Sequence, residues 1–189
     1  DKDDNYVFDV YYRENGKDNF IKETGFSRQG FVKGDLKIGD FDLDGDNDII
    51  YSGENSSGSS VGAVIYNTYI KSTNSSQWSF SPLKNSSIEL AYFKNFGGLG
   101  YVSIGENSSG SLETQTSFNF IPKPELKNGD IAIADFNNDG RLDFVYTGEN
   151  STGNPITELH IAGKPAGSNY PYDSYVKYST EDLLGLRES

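Results

Sequence analysis

Two short acidic stretches have the residue types and spacing of a metal-binding loop. In the first, an aspartate stands at every second position, as Asp40, Asp42, Asp44, Asp46 and Asp48. Calcium in proteins takes six to eight oxygen ligands, and Gly45 permits the sharp bend that wraps alternate side chains around one ion. Without a cation, two charges about 5 Å apart repel each other by roughly 3 kcal/mol at an effective dielectric constant near 20. This stretch is therefore predicted to bind calcium.

The second stretch keeps the oxygen donors but carries less negative charge. Asp135, Asn137, Asp139 and Asp143 stand at positions 1, 3, 5 and 9, and Arg141 can offer its backbone carbonyl at position 7. The neutral amide of Asn137 and the positive side chain of Arg141 both weaken the attraction for a cation. We expect two calcium sites, and we expect the 40–48 loop to bind more tightly than the 135–143 loop.

Two other interpretations of these stretches were weighed. Aspartate and glycine are common in solvated turns, but two copies at equivalent places disfavour that interpretation. An EF-hand needs an acidic residue at position 12 and flanking helices. Position 12 is Tyr51 in one loop and Tyr146 in the other, and the flanking segments have strand-like patterns, so the EF-hand is excluded.

The loops belong to a repeated sequence. Residues 34–41 (GDLKIGDF) return as residues 129–136 (GDIAIADF), and Gly-Glu-Asn-Ser-[Ser/Thr]-Gly starts at Gly53, Gly105 and Gly148. The three copies are 52 and 43 residues apart. Repeats of roughly 40–50 residues are typical of four-stranded propeller blades.

Composition agrees with many short strands and turns. The chain has 189 residues with 13 Tyr, 12 Phe and 21 Gly, and aromatic residues suit half-buried strands. We predict an all-β, β-propeller-like array of four-stranded antiparallel blades. The array has about three and a half repeats and need not close within one chain. The predicted divisions are the last strands of a preceding blade (1–33), repeat 1 (34–87), repeat 2 (88–128), repeat 3 (129–178) and a C-terminal tail (179–189), which starts either a short helix or a further strand.

The middle repeat has lost the acidic loop. The residues aligned with Asp40, Asp42, Asp44 and Asp48 are Tyr92, Lys94, Phe96 and Gly100, so no carboxylate remains. We expect Lys94, Phe96 and Gly97-Gly98 to hold this turn by packing, or with the lysine ammonium in place of an ion.

Several classes of function are disfavoured. The net charge of −12 argues against nucleic acid and against anionic membranes, and no apolar run reaches the roughly 18 residues that span a bilayer. The chain has no cysteine and no nucleophile elbow, phosphate loop or zinc spacing. Its one histidine, His160, lies in an alternating run and is expected to be a strand surface residue. We therefore expect a protein that is not an enzyme.

Five Asn-x-[Ser/Thr] sequences are candidates for glycosylation. Three of them start at the same place in each repeat, and two lie elsewhere; the asparagines are Asn55, Asn107, Asn150, Asn74 and Asn85. The alternative is that Asn-Ser-Ser-Gly is a good turn sequence that was copied with the repeat. Glycosylation is expected only if the chain follows a eukaryotic secretory route.

These motifs resemble the FG-GAP (VCBS-type) repeats, which form blades of integrin-alpha-like β-propellers. The likeness is carried by Asp-x-Asp-x-Asp-Gly-x-x-Asp after an apolar strand, and by residues 135–159, which include Thr147-Gly148. The resemblance implies calcium ligation by both loops, with Asp46 and Arg141 contributing backbone carbonyls. It also implies that the metal braces a blade and does not touch a ligand.

The resemblance and the composition together predict a calcium-stabilised extracellular or cell-surface protein. Its expected role is structural or adhesive, with self-assembly into a homo-oligomer or filament through open strand edges. The chain starts at Asp1 and shows no signal peptide, so a leader is expected to lie outside this chain. The alternatives are a lectin-like or protein-ligand-binding propeller and a non-catalytic domain attached to an enzyme. Trp78 and the stretch 170–178 would form a sugar platform or pack at an edge.

Overall fold

The chain folds as an all-β protein built from antiparallel sheets. The structure is a computed structural model that describes residues 7–13, 16, 18–22, 28–66, 80–94, 97–163 and 174–179. Within these residues there are fourteen strands and no α-helix. The strands are β1 (Val7–Phe8), β2 (Tyr11–Arg13), β3 (Phe20–Lys22), β4 (Arg28–Gln29), β5 (Val32–Gly39), β6 (Asp48–Glu54), β7 (Ser60–Ile65), β8 (Lys84–Phe93), β9 (Gly98–Glu106), β10 (Leu112–Thr116), β11 (Lys127–Ala134), β12 (Asp143–Glu149), β13 (Pro155–Gly163) and β14 (Ser174–Ser179).

Three sheets follow one another along the chain. Sheet 1 has the order β5-β6-β7, sheet 2 has the order β8-β9-β10, and sheet 3 has the order β11-β12-β13-β14. Before them, β1 pairs with β4 and β2 pairs with β3. Each sheet is a meander in which every strand pairs with its neighbours in sequence. The all-β prediction is confirmed, and no sheet closes into a barrel among the described residues.

The first strand of each sheet carries the same irregularity. The pairing register shifts between Val32 and Asp35 in β5, between Lys84 and Ser87 in β8, and between Lys127 and Asp130 in β11. At each shift one residue has a positive φ: 48° at Lys33, 50° at Asn85 and 50° at Asn128. Such a bulge inserts one extra residue and bends the strand. The three sheets are therefore copies of one local design.

The strand boundaries differ from the sequence-based divisions by a few residues. β8 begins at Lys84, inside the range predicted for repeat 1, and β14 ends at Ser179. Sheet 3 has the four strands expected of a blade, whereas sheet 2 has three within residues 84–94 and 97–126. The segment after β10 forms no further strand there, and it contains Pro122 and Pro124, which lack the backbone N–H that a sheet needs.

Several predicted elements cannot be compared with the structure. Trp78, most of the strand expected at 77–80, residues 170–173 of the Tyr-rich stretch 170–178 and the alternative helix after Ser179 lie outside the described residues. Among the residues that are described, no helix combines the length and apolar character needed to cross a membrane.

Two hydrophobic clusters lie where successive sheets pack together. The cluster between sheets 1 and 2 consists of Phe41, Ile50, Ile88 and Tyr101. The larger cluster between sheets 2 and 3 consists of Phe93, Val102, Ile104, Ile121, Leu126, Ile131, Phe144 and Tyr146. Burial of these aromatic and aliphatic side chains is the main stabilising contribution to the array.

Polar side chains also join one sheet to the next. Asp35 on β5 accepts hydrogen bonds from the backbone N–H of Leu36 at 2.7 Å and from that of Ile88 on β8 at 3.0 Å. In the next pair of sheets, Asp130 on β11 accepts from Ile131 N at 2.9 Å and from the Ser87 hydroxyl at 3.0 Å. At each of these two interfaces, the bulge places one carboxylate, Asp35 or Asp130, between the first strands of neighbouring sheets.

Candidate metal centre

The 40–48 loop connects β5 to β6, and its backbone is held by its own aspartates. The two carboxylate oxygens of Asp40 accept from the N–H groups of Asp44 at 3.1 Å and Gly45 at 3.0 Å. Asp48, the first residue of β6, has no exposed surface and accepts from Phe41 N at 2.8 Å. These bonds fold the loop back over its own side chains, so that alternate carboxylates face the same space.

Three of these carboxylates are close enough to share one ion. One oxygen each from Asp40, Asp42 and Asp48 lies within 4.8 Å of the other two. Two oxygens bound to one calcium at about 2.4 Å cannot be more than about 4.8 Å apart. The separation therefore satisfies the geometric limit for a common ligand set. Among the described residues, this is the one group of three or more acidic or histidine side chains that does so.

The loop also contains buried oxygens that have no protein partner. Asp42 Oδ1, Asp44 Oδ2 and Asp46 Oδ2 are buried atoms without a hydrogen bond among the described residues. A buried carboxylate oxygen without a donor or a cation costs free energy, and native proteins seldom leave one so. Hard oxygen ligands of this kind suit calcium, so the residues present fit the ion that the sequence predicts.

The electrostatics of the loop lead to the same conclusion. Burial, and then the charges of Asp48 and Asp44, raise the pKa of Asp42 above its usual value. A raised pKa means that the ionised form of Asp42 is disfavoured by its surroundings. A bound cation would remove that penalty, because it reverses the local field.

The backbone of the loop is strained at Leu43. Leu43 has a φ of 61° and Gly45 a φ of 95°. A left-handed conformation costs a residue such as leucine roughly 1–2 kcal/mol, whereas glycine adopts it without penalty. The bonds made by Asp40 and Asp48 therefore impose the conformation at Leu43.

The 135–143 loop repeats this backbone closely. Asp135 accepts from Asp139 N at 3.0 Å and from Gly140 N at 2.8 Å, and Asp143 accepts from Phe136 N at 2.9 Å. Asn138, with a φ of 59°, stands where Leu43 stands in the first loop. The two loops thus have the same fold, and they differ in their side chains.

In the second loop the carboxylates already have partners. Arg141 Nη2 donates to Asp139 Oδ2 at 2.6 Å, and Asn137 Nδ2 donates to the same oxygen at 3.0 Å. The hydrogen bond from Arg141 holds the pKa of Asp139 below its usual value. The second oxygen of Asp143 accepts from Ala162 N at 2.8 Å. An ion that binds Asp139 through Oδ2 would have to displace the guanidinium of Arg141, and the weaker affinity of this loop stays a prediction.

The middle sheet closes the same connection without acidic residues. Gly100 pairs with Ala91 as Asp48 pairs with Gly39, so the strand register agrees with the sequence alignment of the three repeats. The hairpin continues for two more pairs, to Phe93 opposite Gly98, and Gly97 N donates to Lys94 O at 3.3 Å. Extra strand pairing closes the turn, and Lys94 is exposed. Phe96 lies outside the described residues, so its packing stays a prediction.

The repeated asparagines shape the turns between the second and third strands. Asn55 Oδ1 accepts from Ser57 N at 3.0 Å and from Ser59 N at 2.9 Å. Asn107 and Asn150 make the same pairs of bonds with their own turns. Asn85 occupies the bulge of β8, and Asn74 lies outside the described residues. The turn role is thus observed, and glycosylation of these asparagines stays a prediction.

The sequence-based placement of His160 on the surface is wrong. His160 is only 8% exposed, and its Nε2 lies 2.9 Å from Glu158 Oε2. Lys177 on β14 donates to the other oxygen of Glu158 at 2.5 Å. The alternating pattern of β13 could not show which face is buried, because Phe120 and Pro122, which line the same cleft as His160, lie more than thirty positions earlier.

We expect the imidazole of His160 to titrate below 6.5, the ordinary pKa of histidine. Burial disfavours its charged form more strongly than Glu158 favours it, which lowers the pKa of His160. Because the folded pKa lies below the unfolded one, His160 stabilises the fold above about pH 6.5, and this stabilisation is lost as the pH falls. Burial raises the pKa of Glu158, but hydrogen bonds from Lys177 and His160 outweigh burial and lower that pKa overall. The stability that ionised Glu158 contributes is therefore also lost as the pH falls.

The chain contains a single histidine, so an NMR titration of the imidazole resonance measures this directly. The matched variant is Glu158→Gln, which removes the neighbouring carboxylate and should lower the midpoint of His160 further. A midpoint above 6.5 in the wild-type protein would show that the attraction of Glu158 outweighs burial and would contradict the lowered pKa of His160.

No protein-family model, curated protein or solved structure matches the chain.

Proposed function

We propose that this chain is a calcium-stabilised extracellular repeat protein that acts as a structural or adhesive surface component. The observation that carries the proposal is the 40–48 loop, where three carboxylates converge and three buried oxygens lack partners. Nothing in the loop's own hydrogen bonds neutralises these groups, whereas a divalent cation would do so.

The ion would act on the scaffold. Its candidate ligands lie between the end of β5 and the start of β6, and Asp48 belongs to both the loop and the strand. Binding there would hold the two strands in register at the edge of sheet 1. Because a ligand that binds only the folded state stabilises it, calcium would raise the free energy of unfolding.

We further propose that the sheets are blades of a propeller-like array, as the resemblance to FG-GAP repeats implies. Successive sheets pack face to face, and their first strands β5, β8 and β11 are neighbours through Asp35 and Asp130. Three sheets and the two N-terminal strand pairs, β1 with β4 and β2 with β3, correspond to about three and a half units. An open array of this kind leaves strand edges and a sheet face for a second copy, so a homo-oligomer or filament is proposed.

The function is tested by the stability of Asp42→Asn in two buffers. In a chelator, the variant should be more stable than the wild type by about 1 kcal/mol, because one repelling charge is gone. In saturating calcium, the variant should be less stable than the wild type, because the ion has lost a charged ligand. Urea denaturation in each buffer measures both differences.

Glu125→Gln is the matched control, since it makes the same change of a carboxylate to an amide at an exposed residue outside the loop. It should leave stability unchanged in both buffers. If Asp42→Asn is less stable than the wild type with and without calcium, Asp42 serves the fold and not an ion, and the proposal fails.

A second candidate function, a lectin-like or protein-ligand-binding module, is favoured by a cleft on sheet 3. The cleft is lined by Glu158, His160, Lys177 and two aromatic rings, and it lies away from both acidic loops in the sequence. Such a module and a calcium-braced scaffold are compatible, since the loops and the cleft share no residues.

A further inference from the structure

A cleft between β13, β14 and the segment after β10 contains charged groups that the equivalent strand of sheet 1 lacks. The cleft is open to solvent, has a volume of about 460 Å³ and is lined by Phe120, Pro122, Lys123, Pro124, Glu158, His160, Tyr175 and Lys177. This volume falls within the roughly 300–1,000 Å³ of small-molecule sites. Its floor is formed by Glu158 and His160, which are 9% and 8% exposed.

The repeats provide an internal control for these two residues. Glu158 pairs with Tyr146 as Ala63 pairs with Tyr51, and His160 pairs with Phe144 as Ile65 pairs with Ile49. Sheet 1 therefore builds the same strand with alanine and isoleucine. Burying a carboxylate and an imidazole is costly unless they are fully paired, and apolar residues at such positions are often as stable or more so. The pair in sheet 3 has its own partners, but the same strand forms in sheet 1 without charge, which singles out Glu158 and His160 as candidate ligand-binding groups.

The walls of the cleft are fixed in place by hydrogen bonds. Tyr146 donates its hydroxyl to Pro122 O at 2.9 Å, and Thr114 Oγ1 donates to Pro124 O. On the opposite side, the ring of Tyr175 packs edge-on against Phe144 with centroids 5.3 Å apart. A cleft whose walls are already positioned loses little entropy when a ligand binds.

The acceptors around the cleft are already used, whereas positive charge remains. Both oxygens of Glu158 accept, from Lys177 and from His160, and the carbonyls of Pro122 and Pro124 also accept. Lys123 is exposed and has no carboxylate partner among the described residues. The ligand must therefore supply acceptors, and an anionic group suits the two ammonium groups best.

The other residues that line the cleft indicate the chemistry of the rest of the ligand. Because a carboxylate can only accept, His160 Nε2 is the donor to Glu158, and the neutral ring keeps Nδ1 as an acceptor for a hydroxyl. Phe120 and Tyr175 offer aromatic surfaces for an apolar ring face. We propose that this cleft binds an acidic saccharide, with its carboxylate at Lys123 and Lys177 and a ring hydroxyl at His160.

The proposal is tested by calorimetric titration of the full chain at constant free calcium. The probes are a uronic-acid disaccharide and its carboxyl-reduced, neutral counterpart. We expect the acidic disaccharide to bind and the neutral one to bind roughly tenfold or more weakly, the factor expected for one charge-assisted contact. Equal binding of the two probes, or binding of neither, would overturn the proposal.

Two variants separate a binding role from a structural one. The double variant Glu158→Ala, His160→Ile carries the residues that sheet 1 has at these two positions. It should bind the acidic disaccharide roughly tenfold or more weakly, while its melting temperature stays equal or rises. Lys123→Gln changes an exposed residue and should weaken the acidic probe alone. A lower melting temperature in the double variant, together with unchanged binding in Lys123→Gln, would show that the cluster serves the fold and would also overturn the proposal.

Discussion

Replacing Asp48 with alanine is expected to lower the free energy of unfolding by about 3 kcal/mol even when no calcium is present. Asp48 has no exposed surface, and its carboxylate accepts from Phe41 N at 2.8 Å. Alanine would leave this buried N–H without an acceptor and would leave a cavity at the start of β6. A hydrogen bond to a charged group contributes about 1.5–3 kcal/mol, and an unsatisfied buried donor adds to the loss.

Urea denaturation in a chelator measures the effect, and Asp46→Ala is the matched control in the same loop. Asp46 is half-buried, and its Oδ2 holds no backbone group. Its replacement should change stability by no more than about 0.5 kcal/mol without calcium. Equal losses in the two variants would show that the loop tolerates no substitution at all, which contradicts the specific role assigned to Asp48.

Replacing Phe144 with alanine is expected to cost about 3–5 kcal/mol, the range for large aromatic side chains in a core. The ring of Phe144 is fully buried between sheets 2 and 3. It lies parallel to Phe93 with centroids 6.4 Å apart and parallel to Tyr146 with centroids 6.1 Å apart. Its removal would loosen several aromatic contacts at once, because neighbouring rings cannot collapse fully into the space.

Phe136→Ala is the matched control, since Phe136 is 46% exposed and follows β11 in the second acidic loop. It should cost less than about 1 kcal/mol. Urea denaturation followed by tyrosine fluorescence and by circular dichroism gives both values. If Phe144→Ala costs no more than Phe136→Ala, sheets 2 and 3 do not pack as the structure shows.

Local features of the chain could be predicted because a few neighbouring residues determine them. The turn asparagines and the oxygen spacing of residues 40–48 each depend on fewer than ten consecutive positions. The middle turn was also aligned correctly, since Gly100 takes the register position of Asp48. Its closure by extra strand pairs was missed, because the choice between a loop and a longer hairpin depends on Phe93 and its packing.

The features that were missed depend on residues distant in sequence. Asp35 was noted only as part of a repeated phrase, yet it bonds to Ile88, fifty-three positions later. His160 was expected at the surface, but it is buried beside a cleft that it shares with a proline-containing segment distant in sequence. The sequence does distinguish Glu158 and His160 from the residues aligned with them in repeat 1, which are Ala63 and Ile65. Charge that appears in only one copy of a repeat is a useful pointer to function.

Calorimetric titration with calcium tests the central claim most directly. We expect two binding events, a tighter one that is lost in Asp40→Ala and a weaker one that is lost in Asp135→Ala. These two aspartates hold equivalent backbone bonds in their loops, so each variant is the control for the other. Equal affinities, a tighter site at residues 135–143, or no calcium binding at residues 40–48 would contradict the account.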